Sequence, residues 1–216
     1  MPNLRVAVQF ESDGRAKVDI TANVSETLLA AIRGAGGKII NSFPHENAVR
    51  ALLPIEAVEP LAAREDVTFI RPAAIPLFNT GSVDSQGDTT HKSQQARSQF
   101  GANGAGVRVG VLSDSIDDNQ GSLGAAINSG DIDPNNTFFI TGQAGQGEGE
   151  GLAMLEIVHD LAPASELFFA TGDGGEAQMA QNIRSLAGAG CKVIIDDITY
   201  GDESPFQDGT IAKAVN

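Results

Sequence analysis

Short apolar segments separated by turn residues divide the first third of the chain into predicted strands and helices. Ser25 has the side chain and position of a helix N-cap, and Pro54 opens a second helix. Strands are predicted around these helices at residues 4–9, Lys17–Ile20, Lys38–Phe43, Ala48–Leu53 and Val67–Arg71. The order β-α-β-β-α-β is typical of a ferredoxin-like α+β sandwich.

The second part of the chain alternates strands with helices, which indicates an α/β domain built on a parallel sheet. The predicted elements are the strand Val107–Leu112, the helix Leu152–Leu161, the strand Leu167–Ala170, the helix Glu176–Ala187 and the strand Val193–Ile198. Asp114 follows the first of these strands, and ligands bind at this end of open α/β sheets. Asp114 is therefore a candidate catalytic or ligand-binding residue. The alternative is that it caps the next turn or helix.

Charge and composition divide the 216 residues at a polar stretch, Asn79–Ser98. Residues 1–76 carry a net charge of −1 and residues 77–216 a net charge of −13. We therefore expect a domain at 1–76, a linker at 77–98 and a second domain at 99–216. An acidic second domain argues against nucleic acid as a partner, because phosphates would be repelled. It is compatible with a structural calcium ion, although solubility is the commoner reason for such a charge.

The sequence lacks the patterns that are typical of several other classes of protein. No run of 18 apolar residues exists, so no transmembrane helix or membrane partner is expected, and the N-terminus does not have the pattern of a signal peptide. The glycine-rich segments either precede a strand or carry Glu148 and Glu150 where a phosphate would bind, so no cofactor is expected. The single cysteine, Cys191, is predicted to be a buried structural thiol.

Three segments resemble the front half of subtilisin-like serine peptidases, the subtilases. They are GVRVGVLSDSI, LAPASELFFA and AGAGCKVIIDDITYGDESPFQDGTIAKAV, and the resemblance covers roughly residues 95–216. It implies a parallel, doubly wound subtilisin-like sheet, here incomplete. The segment HENAVRALLPIEAVEPLAAREDVTFIRPA is similar to the end of a subtilase propeptide, an inhibitory domain whose tail lies across the active site. The resemblance thus implies a zymogen of a serine endopeptidase that acts on peptides or proteins.

The resemblance also suggests which residues belong to the active site. Glu150 stands at the helix start where subtilisins have their catalytic histidine, and glutamate there is the mark of the sedolisins. Sedolisins carry an Asp one turn later, where this chain has Met154, but this chain keeps Asp114 near the end of the first strand, as subtilisins do. A gapless match puts Ser113 on the subtilisin Asp, and a one-residue bulge would bring Asp114 to that place. We expect the carboxyl groups of Asp114 and Glu150 to lie close together; the alternative is that Glu150 only complements the helix dipole.

Further features bear on substrate and activity. Asp197, Tyr200 and Gly201 correspond to the strand and turn that bind substrate in subtilases, whereas the three histidines are not expected to be catalytic. No Gly-Thr-Ser sequence, which carries the nucleophile of the family, occurs in the chain, so these residues alone are expected to be inactive. The alternatives are a non-catalytic protein that binds a peptide or partner, and a hydrolase of another type that uses Asp114 and Glu150. Family members are usually exported, which implies a secreted or periplasmic protein, and the lack of a signal peptide leaves a cytoplasmic location open.

Overall fold

The computed structural model describes residues 8–74, 77–78, 86–118, 120–203 and 206–216. The strands in this part of the chain are β1 (Ala16–Ala22), β2 (Lys38–Phe43), β3 (Ala48–Leu53), β4 (Val67–Pro72), β5 (Leu77–Phe78), β6 (Arg108–Ser113), β7 (Thr137–Phe139), β8 (Glu166–Thr171), β9 (Val193–Asp196) and β10 (Ile198–Thr199). The helices are α1 (Glu26–Gly34), α2 (Ile55–Ala62), α3 (Gly87–Thr90), α4 (Ser93–Phe100), α5 (Ser122–Ser129), α6 (Glu150–Leu161), α7 (Glu176–Gly188) and α8 (Thr210–Val215).

Strands β1–β4 form an antiparallel sheet, called here the N-terminal sheet, in the order β2-β3-β1-β4. Ser25 caps α1 by accepting a hydrogen bond from the N–H of Leu28 at 3.2 Å, as the sequence predicts. Leu28 and Ile32 of α1 are fully buried in one core with Ile20 and Leu53 of the sheet. The alternation of apolar and polar residues along β1 leaves its other face partly exposed.

Strands β6–β9 form the parallel sheet, in the order β7-β8-β6-β9. Its two faces bury different cores. Val111 and Phe169 pack in the core that holds Leu155 of α6, whereas Leu112 packs in the core that holds Leu186 of α7. Helices thus cover both faces of the sheet, which explains why β6 is an almost continuous apolar run. The structure is therefore mixed α/β, with one parallel and one antiparallel four-stranded sheet.

The structure departs from the predicted elements at several places, including α5 and β7, which were not predicted. Most of the strand predicted at residues 4–9 lies outside the described residues. The expected strand Val193–Ile198 is divided into β9 and β10 at Asp197. The expected linker contains the helices α3 and α4, while residues 79–85 of that segment lie outside the described residues. The sequence of α4, SQQARSQF, has no apolar stripe, so hydrophobic periodicity does not reveal it.

The third sheet has two short strands and connects the two halves of the chain. Strand β5 follows the N-terminal sheet and pairs antiparallel with β10, with Leu77 opposite Thr199 and Phe78 opposite Ile198. Since β10 begins two residues after the end of β9, β5 lies at the C-terminal edge of the parallel sheet. Among the described residues, no helix is long and apolar enough to cross a membrane.

Arg50, on β3, connects the N-terminal sheet to the segment that leads to β5. Its side chain is 4% exposed and donates to both carboxylate oxygens of Asp19, at 2.7 and 2.9 Å, and to the carbonyl of Ala74 at 3.1 Å. The N–H of Ala74 donates to the same carboxylate at 3.0 Å. A Cβ on Gly175, which has a φ of +96°, would lie 2.8 Å from Arg50 Cζ, so the loop before α7 packs directly on the guanidinium group.

Ion pairs join the N-terminal sheet to α7 and the loop after β10. Arg71 of β4 pairs with Glu176 at 3.2 Å and with Asp202 at 2.5 Å. Glu46, in the turn between β2 and β3, pairs with Arg184 of α7. The side chains of Glu46 and Glu176 are only 7% and 12% exposed, so the acidic partners of these two ion pairs are shielded from solvent, whereas Asp202 is exposed.

Replacement of Arg50 by methionine should destabilise the protein. The change leaves Asp19 with a largely desolvated charge, and we expect the free energy of unfolding to fall by about 3 kcal/mol, as for other broken buried ion pairs. Urea unfolding measures the loss. Arg15→Met is the matched control, because Arg15 pairs with Asp13 at the surface and should change stability little. Equal losses in the two variants would contradict the role assigned to Arg50.

Candidate functional site

Asp114 lies just beyond β6, and its carboxylate is an acceptor for backbone amides. The side chain of Asp114 is 6% exposed. Oδ2 accepts a hydrogen bond from the N–H of Glu148 at 2.6 Å, and Oδ1 accepts from Gly151 at 3.2 Å and from its neighbour Ser115. The register between β6 and β8 is regular, so the bulge that would shift Asp114 is not in the strand. Asp114 therefore accepts hydrogen bonds from the loop before α6 and from the first turn of that helix. Its part in catalysis stays a prediction.

The glycine-rich loop before α6 closes over Asp114 because it has no side chains at the points of contact. Gly145 forms a β-bridge with Ser115 and has a φ of +79°. A Cβ on Gly147 would lie 2.7 Å from Asp114 Cγ, and one on Gly151 would lie 2.7 Å from the carbonyl oxygen of Ser115. The loop is thus a backbone cradle for a carboxylate of the chain itself.

Glu150 is the first residue of α6 and lies among carboxyl groups. Burial raises the pKa of Glu150 to about 7; repulsion from Asp197, a side-chain hydrogen bond with Asp197, and repulsion from Asp114 and Glu148 act in the same direction. Its Oε2 is shielded from solvent. Asp114 and Glu150 thus belong to one site. Near neutral pH, Glu150 can accept or donate a proton, which is the property that general acid–base catalysis requires.

Asp197 reaches the same site from the break between β9 and β10. Both of its carboxylate oxygens are shielded from solvent. Its neighbour Asp196 is exposed, so the two adjacent carboxylates face different surroundings. Three elements that are far apart in sequence therefore supply the carboxyl groups of the site: the end of β6, the start of α6 and the residue before β10.

Tyr200 and Gly201 follow β10. The side chain of Tyr200 is 5% exposed; its hydroxyl donates to the carbonyl of Gly172 at 2.7 Å and accepts from the N–H of Gly175 at 2.9 Å. Burial raises the pKa of Tyr200 to about 12. Gly201 lies in an exposed turn. Tyr200 therefore holds the loop 172–175 against the strand that pairs with β5, and its contact with substrate stays a prediction.

One residue of the site was not found from the sequence. Thr171, at the end of β8, donates a hydrogen bond from its hydroxyl to the carbonyl oxygen of Asp114 at 2.8 Å. The C-terminal ends of neighbouring parallel strands meet at one edge of a sheet, so its position directly after LFFA was the available signal. Among the described residues, no group of three or more His, Cys, Asp or Glu side chains is arranged to hold a metal ion.

Comparison with known proteins supports a likeness of fold. No family model matches the sequence, and no curated protein matches it. Fervidolysin from Fervidobacterium pennivorans, a keratinolytic enzyme related to subtilisin, aligns with 96% of this chain and 39% of its own, with a TM-score of 0.56 and 14% identity. The epidermin leader peptide processing serine protease from Staphylococcus aureus aligns with 84% of this chain and 49% of its own, with a TM-score of 0.54 and 12% identity. A variant of the Staphylococcus protease gives a TM-score of 0.55.

These neighbours define the class of fold. The chain shares the architecture of subtilisin-like serine proteases and spans half or less of the length of the three structures compared. Their identities of 12% to 14% establish the fold and not the activity. The mixed α/β structure with a parallel four-stranded sheet agrees with the subtilisin-like sheet that the sequence resemblance implied.

Replacement of Gly147 by alanine should destabilise the site. The new Cβ would lie within 2.7 Å of Asp114 Cγ, so either the loop or the carboxylate must move, and hydrogen bonds from the loop are lost. A thermal melt measures the effect. Gly124→Ala is the matched control, because Gly124 lies in α5 with nothing within 4 Å of its added Cβ. A loss no greater than that of the control would show that the loop tolerates a side chain beside Asp114.

Glu150→Gln should change how stability depends on pH. The folded-state pKa of about 7 exceeds the ordinary value of 4.5, so the folded state holds the proton more strongly. The unfolding free energy contributed by Glu150 is therefore fully present below about pH 4.5 and lost as pH rises to about 7. Relative to the natural protein, the free energy of unfolding of the variant should rise by roughly 1–2 kcal/mol between about pH 5 and pH 8. This figure is reduced to allow for the partial exposure of Glu150. Urea unfolding at both pH values measures this gain, and a pH-independent difference would contradict it.

Proposed function

We propose that this chain is the front part of a subtilisin-like serine endopeptidase zymogen, with peptide-bond hydrolysis as the activity of the whole protein. In this proposal residues 1–76 are a propeptide-like inhibitory domain, 77–98 a linker, and 99–216 the N-terminal part of the catalytic domain. The substrates are peptides or proteins, and the protein is secreted or periplasmic, as the family resemblance implies. No cofactor is part of the proposal.

The pairing of β5 with β10 is the observation that carries the proposal. A segment that follows the N-terminal sheet adds a strand to β10, which is one of the recurring ways in which proteins bind extended peptides. Strand β10 begins one residue after Asp197, whose negative charge helps to raise the pKa of Glu150. The pairing of β5 with β10 next to Asp197 supports the interpretation of the preceding residues as an inhibitory propeptide.

The N-terminal sheet supports the same interpretation. Its β-α-β-β-α-β order and its antiparallel sheet order β2-β3-β1-β4 fit a ferredoxin-like propeptide domain. The ion pairs of Arg71 and Glu46 hold it against α7 and the loop after β10. A tail that pairs through only two residues has little affinity of its own. An inhibitory domain with such a tail therefore needs a further contact of this kind.

Glu150 is the general base in this proposal, and Asp114 is the group that fixes the loop and the helix start around it. A base with a pKa of about 7 is poised to take a proton from a hydroxyl near neutral pH and is charged only above that pH. Asp197, Tyr200 and Gly201 border the strand that would receive the substrate. The serine nucleophile is not assigned to any residue, since no Gly-Thr-Ser occurs in the sequence.

One alternative is a non-catalytic protein that uses β10 to bind a peptide or partner. Strand addition at β10 requires only backbone groups and therefore does not depend on a nucleophile. The gene sequence beyond codon 216 separates the two: a downstream Gly-Thr-Ser supports the peptidase, and a natural stop codon supports the binding protein.

A fluorophosphonate probe tests the peptidase directly. We expect no labelled serine in the 216-residue chain and one in a longer gene product that carries Gly-Thr-Ser, because the probe reacts only with an activated serine. Glu150→Gln in the longer protein should abolish labelling by removing the base, whereas Glu148→Gln should not, since the Glu148 side chain is exposed. Labelling of the 216-residue chain, or of the longer Glu150→Gln protein, would contradict the proposal.

A further inference from the structure

Two amide side chains of α7 are buried among apolar residues. Gln178 and Asn182 lie one turn apart on the helix, next to Met179, Ile183 and Leu186, which belong to the core between α7 and the parallel sheet. A buried amide group costs free energy unless it is hydrogen-bonded. The two side chains therefore need polar partners outside the helix.

Both amides donate to the side chain of Gln143, in the glycine-rich loop before α6. The distances to Gln143 Oε1 are 2.6 Å from Gln178 Nε2 and 2.8 Å from Asn182 Nδ2. Asn182 Nδ2 also donates to the carbonyl of Thr171, at the end of β8, at 2.7 Å. The carbonyl of Gln143 accepts from the N–H of Thr171 at 2.8 Å. Gln143 is thus held by α7 through its side chain and by β8 through its backbone.

We infer that Gln143 is a positioning residue for the carboxyl site: held by Gln178 and Asn182, it fixes the loop whose amides bind Asp114 and which leads to Glu150. Gln143 acts through the loop and is not itself a catalytic residue. The inference deepens the proposed function, on which its catalytic meaning rests.

The composition of the loop explains why it needs such an anchor. Five of the ten residues 142–151 are glycines, and glycine loses more conformational freedom on folding than any other residue. The glycines at 145 and 147 are required where the loop approaches Asp114 and Ser115, because a Cβ at either position would lie within 3 Å of their atoms. Side-chain contacts that restrict the loop must therefore come from its other residues, and Gln143 supplies them.

The restraint reaches Asp114 by two short routes. Ala144, the residue after Gln143, accepts a hydrogen bond from the N–H of Ile116 at 2.9 Å, only two residues after Asp114. Thr171, which pairs with the backbone of Gln143, donates its hydroxyl to the carbonyl of Asp114 at 2.8 Å. A change at the Gln143 side chain should therefore loosen the loop at the carboxylate itself.

Amide hydrogen exchange followed by NMR tests the inference on the 216-residue chain. Gln143→Met keeps the length of the side chain and removes the acceptor oxygen. In this variant the amides of Glu148 and Gly151, which donate to Asp114, should exchange about tenfold faster relative to the amides of β3, because the loop loses its restraint. Gln143→Glu keeps an acceptor oxygen for both α7 amides and should restore slow exchange.

Three results would overturn the inference. They are natural exchange rates at Glu148 and Gly151 in Gln143→Met, an equal acceleration at β3, and no rescue by Gln143→Glu. The second result would mean that Gln143 contributes only to overall stability.

The natural protein provides a measurement that does not depend on how a variant folds. Both side-chain amide protons of Asn182 are bonded and buried, so they should be protected from exchange. Gln181, one residue earlier, is the matched control, since its side-chain amide makes one contact of 3.5 Å with Ser185 and is half-buried. Equal exchange of the two side chains would overturn the inference.

These measurements need no nucleophile, so they are separate from the fluorophosphonate test. A loop that is anchored by Gln143 in a protein without peptidase activity would remove the proposed function and leave the anchor. Peptidase activity with a loop that is indifferent to Gln143 would do the reverse.

Discussion

The hydrogen bonds from backbone amides to the Asp114 carboxylate hold the site together. They join the end of β6 to a loop 34 residues later, and they supply a side-chain acceptor to a helix whose own N-cap, Gly149, has none. A buried carboxylate is costly unless its oxygens are satisfied, and here three N–H groups satisfy them. Gly147 is one consequence, because the loop must approach the carboxylate with its backbone, and Gly145 and Gly151 come equally close to the backbone of Asp114 and Ser115. The same hydrogen bonds hold the start of α6 at Asp114 and therefore position Glu150, the first residue of that helix.

The second constraint is the attachment of the N-terminal sheet to the rest of the structure, which depends mainly on arginine side chains. Arg50 is buried, ties Asp19 to the exit of β4 and packs on Gly175, so one side chain sets both the path toward β5 and the position of the loop before α7. Tyr200 holds the same loop from the other side through Gly172 and Gly175. Burial raises the pKa of Glu176, and Arg71 opposes that rise. The charged contacts between the sheets are thus partly desolvated, which makes removal of one partner more costly than at an exposed pair.

The sequence predicted the parts of the fold that are governed by local pattern. The apolar run Val107–Leu112 locates β6 to within one residue, because a strand covered on both faces must be apolar throughout. Ser25 locates the start of α1 for an equally local reason. The polar helix α4 and the break at Asp197 were not predicted, since neither has a hydrophobic period that would mark it. The short edge strand β7, three residues long, also has too little pattern to be recognised.

The candidate site shows the same division between local and tertiary information. Asp114 and Glu150 were identified because each stands at the end or the start of a recognisable element. Their surroundings were not predicted, because two of the three amide donors of Asp114 and the charge of Asp197 that acts on Glu150 come from residues more than 30 positions away. No pattern within one segment can tell a carboxylate that caps a loop from one that holds a proton. The register of β6 is another example. Asp114 contacts α6 although β6 has a regular register and lacks the bulge that the gapless match to subtilisins required.

The concentration of negative charge at the site limits how it can work. Burial and three acidic neighbours raise the pKa of Glu150, whereas the N-terminus of α6, a helix of 12 residues, offsets only part of that charge. A bound proton relieves part of the remaining repulsion without adding a heavy atom to a loop already in contact with Asp114. A site built in this way changes its protonation near neutral pH through its own packing and without a histidine. The burial that raises the pKa of Glu150 is thus the same burial that would let its carboxylate serve as a base near neutral pH.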